Sequence, residues 1–156
     1  MTAPFARIED FAAALPPVGA LFGLDLGDKT IGVAVSDPFR RIASPLLTIR
    51  RVKFTQDAAA LMALVAERAG AGIVLGLPLN MDGSAGPRVQ STQAFARNLA
   101  RLTPLPIGFW DERLSTVAAE RALLEADTSR RRRAQVVDHV AAGYILQGCL
   151  DRLAHL

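Results

Sequence analysis

Three strand-like segments follow one another through short polar links, and each later strand-like segment is reached across a helix-length crossover. Leu21–Leu26 is an apolar run closed by Gly27, and Ile31–Ser36 is rich in Val and Ile. The link Gly27-Asp28-Lys29-Thr30 is short and polar, so these two segments should pair as an antiparallel hairpin. Ile42–Ile49 supplies a third strand. Pro45 within it predicts an edge position or a break, because proline donates nothing to a strand ladder.

The period then changes. Ala58, Leu61, Met62 and Val65 recur at helical spacing within Thr55–Ala69, with Thr55 as the expected N-cap and Gly70 and Gly72 as terminators. Ile73–Leu75 reads as a fourth strand, followed by a long loop from Gly76 to Gly86. Pro87 can open the next helix, which runs to about Arg101, and Pro104 and Pro106 lead into a fifth strand, Ile107–Trp110. Ser115 is expected to cap a helix to about Ala126. A basic connection, Asp127–Arg133, precedes a last long helix, Gln135–Leu153. Helical crossovers favour parallel pairing. The order therefore predicts an α/β fold whose mixed five-stranded sheet is antiparallel over its first three strands and parallel after them, with flanking helices.

With 156 residues, 51% hydrophobic and 21% charged, the chain has the composition of one compact domain rather than a disordered segment. Residues 1–19 read as an N-terminal extension with one amphipathic turn through Phe5, Ile8, Phe11 and Leu15, and residues 20–156 as the domain. The extension lacks a basic start followed by an apolar core, so no secretory signal is expected. No run approaches the roughly 20 apolar residues of a membrane span. The lone Cys149 excludes an intrachain disulfide and reads as a packed core thiol. A cytoplasmic protein is the expectation.

Three carboxylates stand where the pattern calls for hydrocarbon. Asp25 interrupts a buried strand between Gly23 and Gly27. An ionised carboxylate there is costly without hydrogen bonds, a charge partner or a metal. Asp138 shares a helical row with Ala142, Ile145 and Cys149 on a helix that is apolar on nearly every side. Glu112 follows the fifth strand at the edge of the sheet where ligands collect in open α/β folds. Taken singly, each has an ordinary reading: a strand acid held by local hydrogen bonds, an acid near a helix N-terminus, a solvated loop acid. Taken together, they suggest one oxygen-rich site, suited to Mg2+ or Mn2+ rather than zinc.

Four segments resemble the motifs of one family. Gly23-Leu24-Asp25-Leu26-Gly27-Asp28-Lys29-Thr30-Ile31-Gly32-Val33-Ala34-Val35-Ser36-Asp37 is similar to the opening motif of the YqgF family of Holliday-junction-resolvase-like proteins. Gly76-Leu77-Pro78-Leu79-Asn80-Met81-Asp82-Gly83-Ser84 resembles its central loop. Asp111-Glu112-Arg113-Leu114-Ser115-Thr116 resembles its third motif, and Val137-Asp138-His139-Val140-Ala141-Ala142 with Ile145-Leu146-Gln147 its last. The resemblance covers about residues 20–152. It implies a ribonuclease-H-like fold, Asp25, Glu112 and Asp138 as the acidic positions, and trimming of the 5′ end of the 16S rRNA precursor in ribosome biogenesis. Two positions depart from the pattern. Thr30 stands where members often carry Arg, and His139 stands where a small residue is common, one step off the Asp138 face.

The expected chemistry is a two-metal phosphodiester hydrolysis. Asp25 would bridge two Mg2+ or Mn2+ ions, and Glu112 and Asp138 would each complete one shell. Lys29, Asn80, Arg88, Arg113, Arg132 and Arg133 are the candidate substrate contacts, the last two within the run Arg130–Arg133. With Lys plus Arg at 18 against Asp plus Glu at 15, the net charge of +3 permits a nucleic-acid partner without demanding one. One Trp and one Tyr argue for phosphate contacts over base stacking. The main alternatives are a resolvase of branched DNA, working as a two-fold dimer, and a non-catalytic RNA-binding assembly factor. Monomer and homodimer both remain open. An actin-like or sugar-kinase-like ATPase would share the Asp25-Leu26-Gly27 turn, but the chain is too short for its second lobe.

Overall fold

In a computed structural model of the chain, the described residues are 3–114 and 130–156, with side chains 130–138 outside the description. The elements are α1 (Ile8–Ala14), β1 (Ala20–Leu26), β2 (Thr30–Ser36), β3 (Ala43–Arg50), α2 (Phe54–Glu67), β4 (Gly70–Leu77), α3 (Pro87–Ala100), β5 (Ile107–Asp111), a 3-10 turn (Glu112–Leu114) and α4 (Arg130–Leu153). The expected helix Ser115–Ala126 lies outside the described residues.

The sheet has the order β3-β2-β1-β4-β5. β1 pairs antiparallel with β2, β2 antiparallel with β3, and β4 runs parallel to both β1 and β5. This is the expected mixed sheet, and the hairpin closes with Gly27 N–H donating to Thr30 O at 2.9 Å. Pro45 acts as expected: β3 is an edge strand, and its register shifts between the Val33–Leu47 and Ala34–Pro45 pairs.

Alternation along the strands sends two sets of side chains to opposite faces. Phe22, Leu24, Ile31, Val33, Ile73, Leu75 and Ile107 pack with α2 and α3 through Leu61, Val65, Phe95 and Leu99. Leu21, Ala34, Val74 and Trp110 form the second core with Ala142, Ile145, Leu146, Cys149 and Leu150 of α4. Burial pushes the Cys149 thiol up to about 12, which fits the packed role expected for it. The N-terminal segment does more than make one turn. Phe11 of α1 is fully buried in the α4-side core, and Phe5 bridges to Gly108 at the β5 edge.

Several boundaries differ from the sequence expectation. α2 begins at Phe54 after Lys53, not after a Thr55 cap. The buried Asp57 carboxylate instead accepts Val52 N–H at 3.0 Å, holding the chain as it enters the helix. α2 ends before Ala69, which takes the left-handed turn at φ 51, so Gly70 and Gly72 are already strand. There glycine serves packing: a Cβ on Gly72 would lie 2.7 Å from Leu15 Cδ2. α4 already includes Arg130, so helix takes up part of what reads as a basic linker.

The closeness of α4 to β1 rests on Gly23, where a Cβ would sit 2.6 Å from Leu146 Cβ and 3.1 Å from Ala142 O. Neither atom is a flexible side-chain end, so the helix itself would have to move. Gly23→Ala should destabilise the fold by about 1–3 kcal/mol, read as a lower urea midpoint at unchanged slope. An unchanged midpoint would mean that α4 is free to shift.

Candidate active site

Asp25 belongs to the set of β1 residues that faces α4, two residues beyond Gly23, and is only 6% exposed. It lies one step past the Leu24–Leu75 pair, which sets it beside Gly76 of β4. Gly76 in turn pairs with Trp110 of β5, and two residues on, the chain turns through the 3-10 segment that begins at Glu112. Glu112 is 9% exposed. A Cβ on Gly76 would lie 3.3 Å from the Glu112 carboxyl carbon and 2.5 Å from Ile145 Cδ1. Gly76 is therefore a bare patch of strand with Asp25 on one side and Glu112 on the other, and adjacent strands are only about 4.8 Å apart. Both carboxylates have further interactions of their own.

The third acid sits on α4. Position 138 falls four residues before Ala142 and seven before Ile145, on the helical row that meets the sheet. The Asp138 side chain lies outside the described residues, as do those of Arg132 and Arg133. Among the described residues, no group of three or more His, Cys, Asp and Glu gathers as a metal site. Among the described residues, Asp25 and Glu112 are the buried acids that flank Gly76.

The expected substrate contacts divide by what they already hold. Lys29 is exposed in the β1–β2 turn. Arg88, in the first turn of α3, is exposed and reaches Leu26 O at 3.5 Å, next in sequence to Asp25. Asn80 is occupied within its own loop, where its Nδ2 donates to Ser84 Oγ at 2.9 Å and its carbonyl accepts Gly83 N–H at 2.8 Å. Gly83 takes a positive φ of 87, which only glycine adopts easily. Arg113 is paired with Asp111 at 2.7 Å and reaches Met81 O at 3.4 Å. Hydrogen bonds from Arg113 hold the Asp111 carboxyl below its ordinary range, and the Ser84 hydroxyl and N–H do the same for Asp82. The loop from Asn80 to Gly86 is thereby folded on itself and tied to the residue that follows Glu112.

Two participants were missed by sequence reasoning. Gly76 opened a loop in that reading, yet it is the strand position that makes room for Glu112. Arg51, part of a basic group in the sequence, donates to Gly27 O at 2.5 Å and lies 6.0 Å from the Phe95 ring centre. Arg51 and Arg88 thus brace the turn that follows Asp25 from two elements.

Among known proteins, the family model described as "RuvX: Holliday junction resolvase" matches residues 19–152. A Cereibacter sphaeroides protein named "Putative pre-16S rRNA nuclease" is 78% identical over 147 residues, covering 94% of this chain and 92% of its own length. A protein of the same name from Paracoccus denitrificans is 74% identical, covering 96% and 95%. Among solved structures, Thermus thermophilus RuvC in complex with a Holliday junction substrate superposes with a TM-score of 0.52 at 8% identity, covering 87% of this chain and 94% of that one. That likeness establishes a shared fold, the ribonuclease-H-like architecture expected from the motifs.

Because Arg113 ties the loop to β5, Arg113→Ala should speed amide hydrogen exchange at Gly83 and Ser84 with little change in global stability. Unchanged exchange would mean that the loop's own hydrogen bonds suffice to hold it.

Proposed function

This chain belongs to the RuvX family, and we propose that it is a nuclease that hydrolyses a phosphodiester of the 16S rRNA precursor in the cytoplasm, using divalent ions held by Asp25, Glu112 and Asp138. The observation that carries the reading is the pair of buried carboxylates on either side of Gly76, on the face of the sheet that α4 covers. Clustered negative charge in a buried site favours a cation. An all-oxygen donor set fits Mg2+ or Mn2+. A Cβ on Gly76 would press on the Glu112 carboxyl carbon at 3.3 Å, so glycine there leaves that carboxylate its place.

Bound Mg2+ or Mn2+ would supply charge neutralisation at the phosphate and a more acidic water. The chain's own residues do the rest. Asp25 has its backbone fixed in the central strand β1, paired with β2 on one side and β4 on the other. Glu112 stands on a tight turn fixed by the Arg113–Asp111 pair. Lys29 and Arg88 stand exposed around the β1–β2 turn and can meet phosphate oxygens. Arg132 and Arg133, one to two turns ahead of Asp138 in α4, would extend that contact along the strand.

The name carried by the close relatives favours rRNA precursor as substrate. The family's description as a junction resolvase supports branched DNA as a second reading. Both substrates offer the same phosphodiester, so the same acids serve either.

Asp25→Asn should remove cleavage by at least about 100-fold while the fold persists. Chelation should abolish the activity of the native chain, and Mg2+ or Mn2+ should restore it. Either ion should also raise the native chain's melting temperature, but not that of Asp25→Asn. Assays on precursor RNA and a four-way DNA junction, run side by side, decide the substrate. Full cleavage by Asp25→Asn would end the reading for both.

A further inference from the structure

We propose that Thr48 and His139 form a positioning pair, whose hydrogen bond sets the rotation of α4 and so the place at which Asp138 meets the metal site. The inference rests on the metal-dependent reading above. His139 Nδ1 and Thr48 Oγ1 lie 2.9 Å apart. Thr48 is the β3 partner of Gly32, and Gly32 is the β2 partner of Asp25. The three residues form one row across the sheet, so Thr48 lies two strand spacings from Asp25, about 10 Å. A glycine stands between them.

α4 meets the sheet along two neighbouring rows. Ala142, Ile145, Leu146 and Cys149 pack on β1 and β4. The other row repeats every four residues and lies on β3. His139 bonds Thr48, a Cβ on Gly143 would lie 3.2 Å from Pro45 Cγ, and Gln147 accepts Ala43 N–H at 2.9 Å and donates to Arg41 O at 3.1 Å. Position 138 continues the first row and position 139 the second. One residue turns a helix by about 100 degrees, so adjacent residues point to different neighbours. Rotating α4 enough to displace Asp138 would pull His139 from Thr48. Of the contacts along this row, His139–Thr48 is the one next to the acid; partners bonded directly to a ligand typically carry a 10- to 100-fold effect on metal affinity, and a tether one step removed should act at the lower end of that range.

A structural tether alone would change stability without changing ion affinity, so the deciding readout is Mn2+ binding to the full chain, followed by titration calorimetry. Thr48→Val and His139→Leu should each weaken Mn2+ binding by about tenfold. Thr48→Ser and His139→Asn, which keep a hydrogen-bonding atom in place, should bind close to the native affinity. The double variant Thr48→Val/His139→Leu should be no worse than the weaker single, because both remove one bond. Thr48 has another interaction too, so the His139 variants, which leave Thr48 itself unaltered, carry the test most directly. Native Mn2+ affinity in Thr48→Val and His139→Leu would overturn the proposal, as would equal losses in Thr48→Ser and Thr48→Val. Asp25→Asn serves as the control: if it binds Mn2+ as the native chain does, the metal reading itself fails. If only Asp25→Asn loses binding, the positioning pair alone is wrong.

Discussion

The close approach of α4 to the sheet determines what this chain can hold. Gly23 of β1 and Gly76 of β4 present bare backbone to the helix, so that Leu146, Ala142 and Ile145 come within contact of the strands. Larger residues there would lift α4 away. With the helix down, the end of β1 is enclosed and Asp25 is buried in an otherwise apolar layer. An acid in such a layer is tolerated only where its charge is answered. The same glycine that admits Ile145 also makes room for the Glu112 carboxyl. Helix packing and the gathering of acids are one structural event.

The cations around this site fall into two groups. Arg113 and Arg51 are engaged within the protein: Arg113 with Asp111 and Met81 O, and Arg51 with Gly27 O. They hold turns and loops in place. Lys29 keeps an exposed head in the β1–β2 turn, and Arg88, also exposed, touches the protein there only through a long 3.5 Å contact to Leu26 O. Such a division separates charges spent on holding the fold from charges left available at the surface. It also explains why a net charge of +3 says little by itself about nucleic-acid binding.

The sheet was legible because its strands announce themselves by type and spacing. The polar turn after Leu26, the edge proline Pro45 and the helical crossovers each allow few alternatives. Boundaries were less legible where one residue can serve two purposes. Gly70 and Gly72 read as helix terminators but serve as strand positions under Phe22 and Leu15, a role visible only once the layers are assembled. Asp25 stood out as a charge inside an apolar strand, and Glu112 as an acid at the edge of the sheet. For Arg113, a candidate phosphate contact, nothing in a linear string shows that Asp111 and Met81 O are its partners within the protein. The place of His139 was half legible: its one-step offset from the Asp138 row follows from helix geometry, whereas Thr48 as its partner required the register of β3.

The central claim is that carboxylates distant in sequence meet to hold cations against a phosphodiester. Anomalous diffraction from crystals grown with Mn2+ tests it most directly. The account predicts density for the ion in contact with the carboxylates of Asp25 and Glu112, with Asp138 completing the shell. Ordered Mn2+ found only elsewhere, with the two carboxylates answered by basic side chains instead, would contradict it.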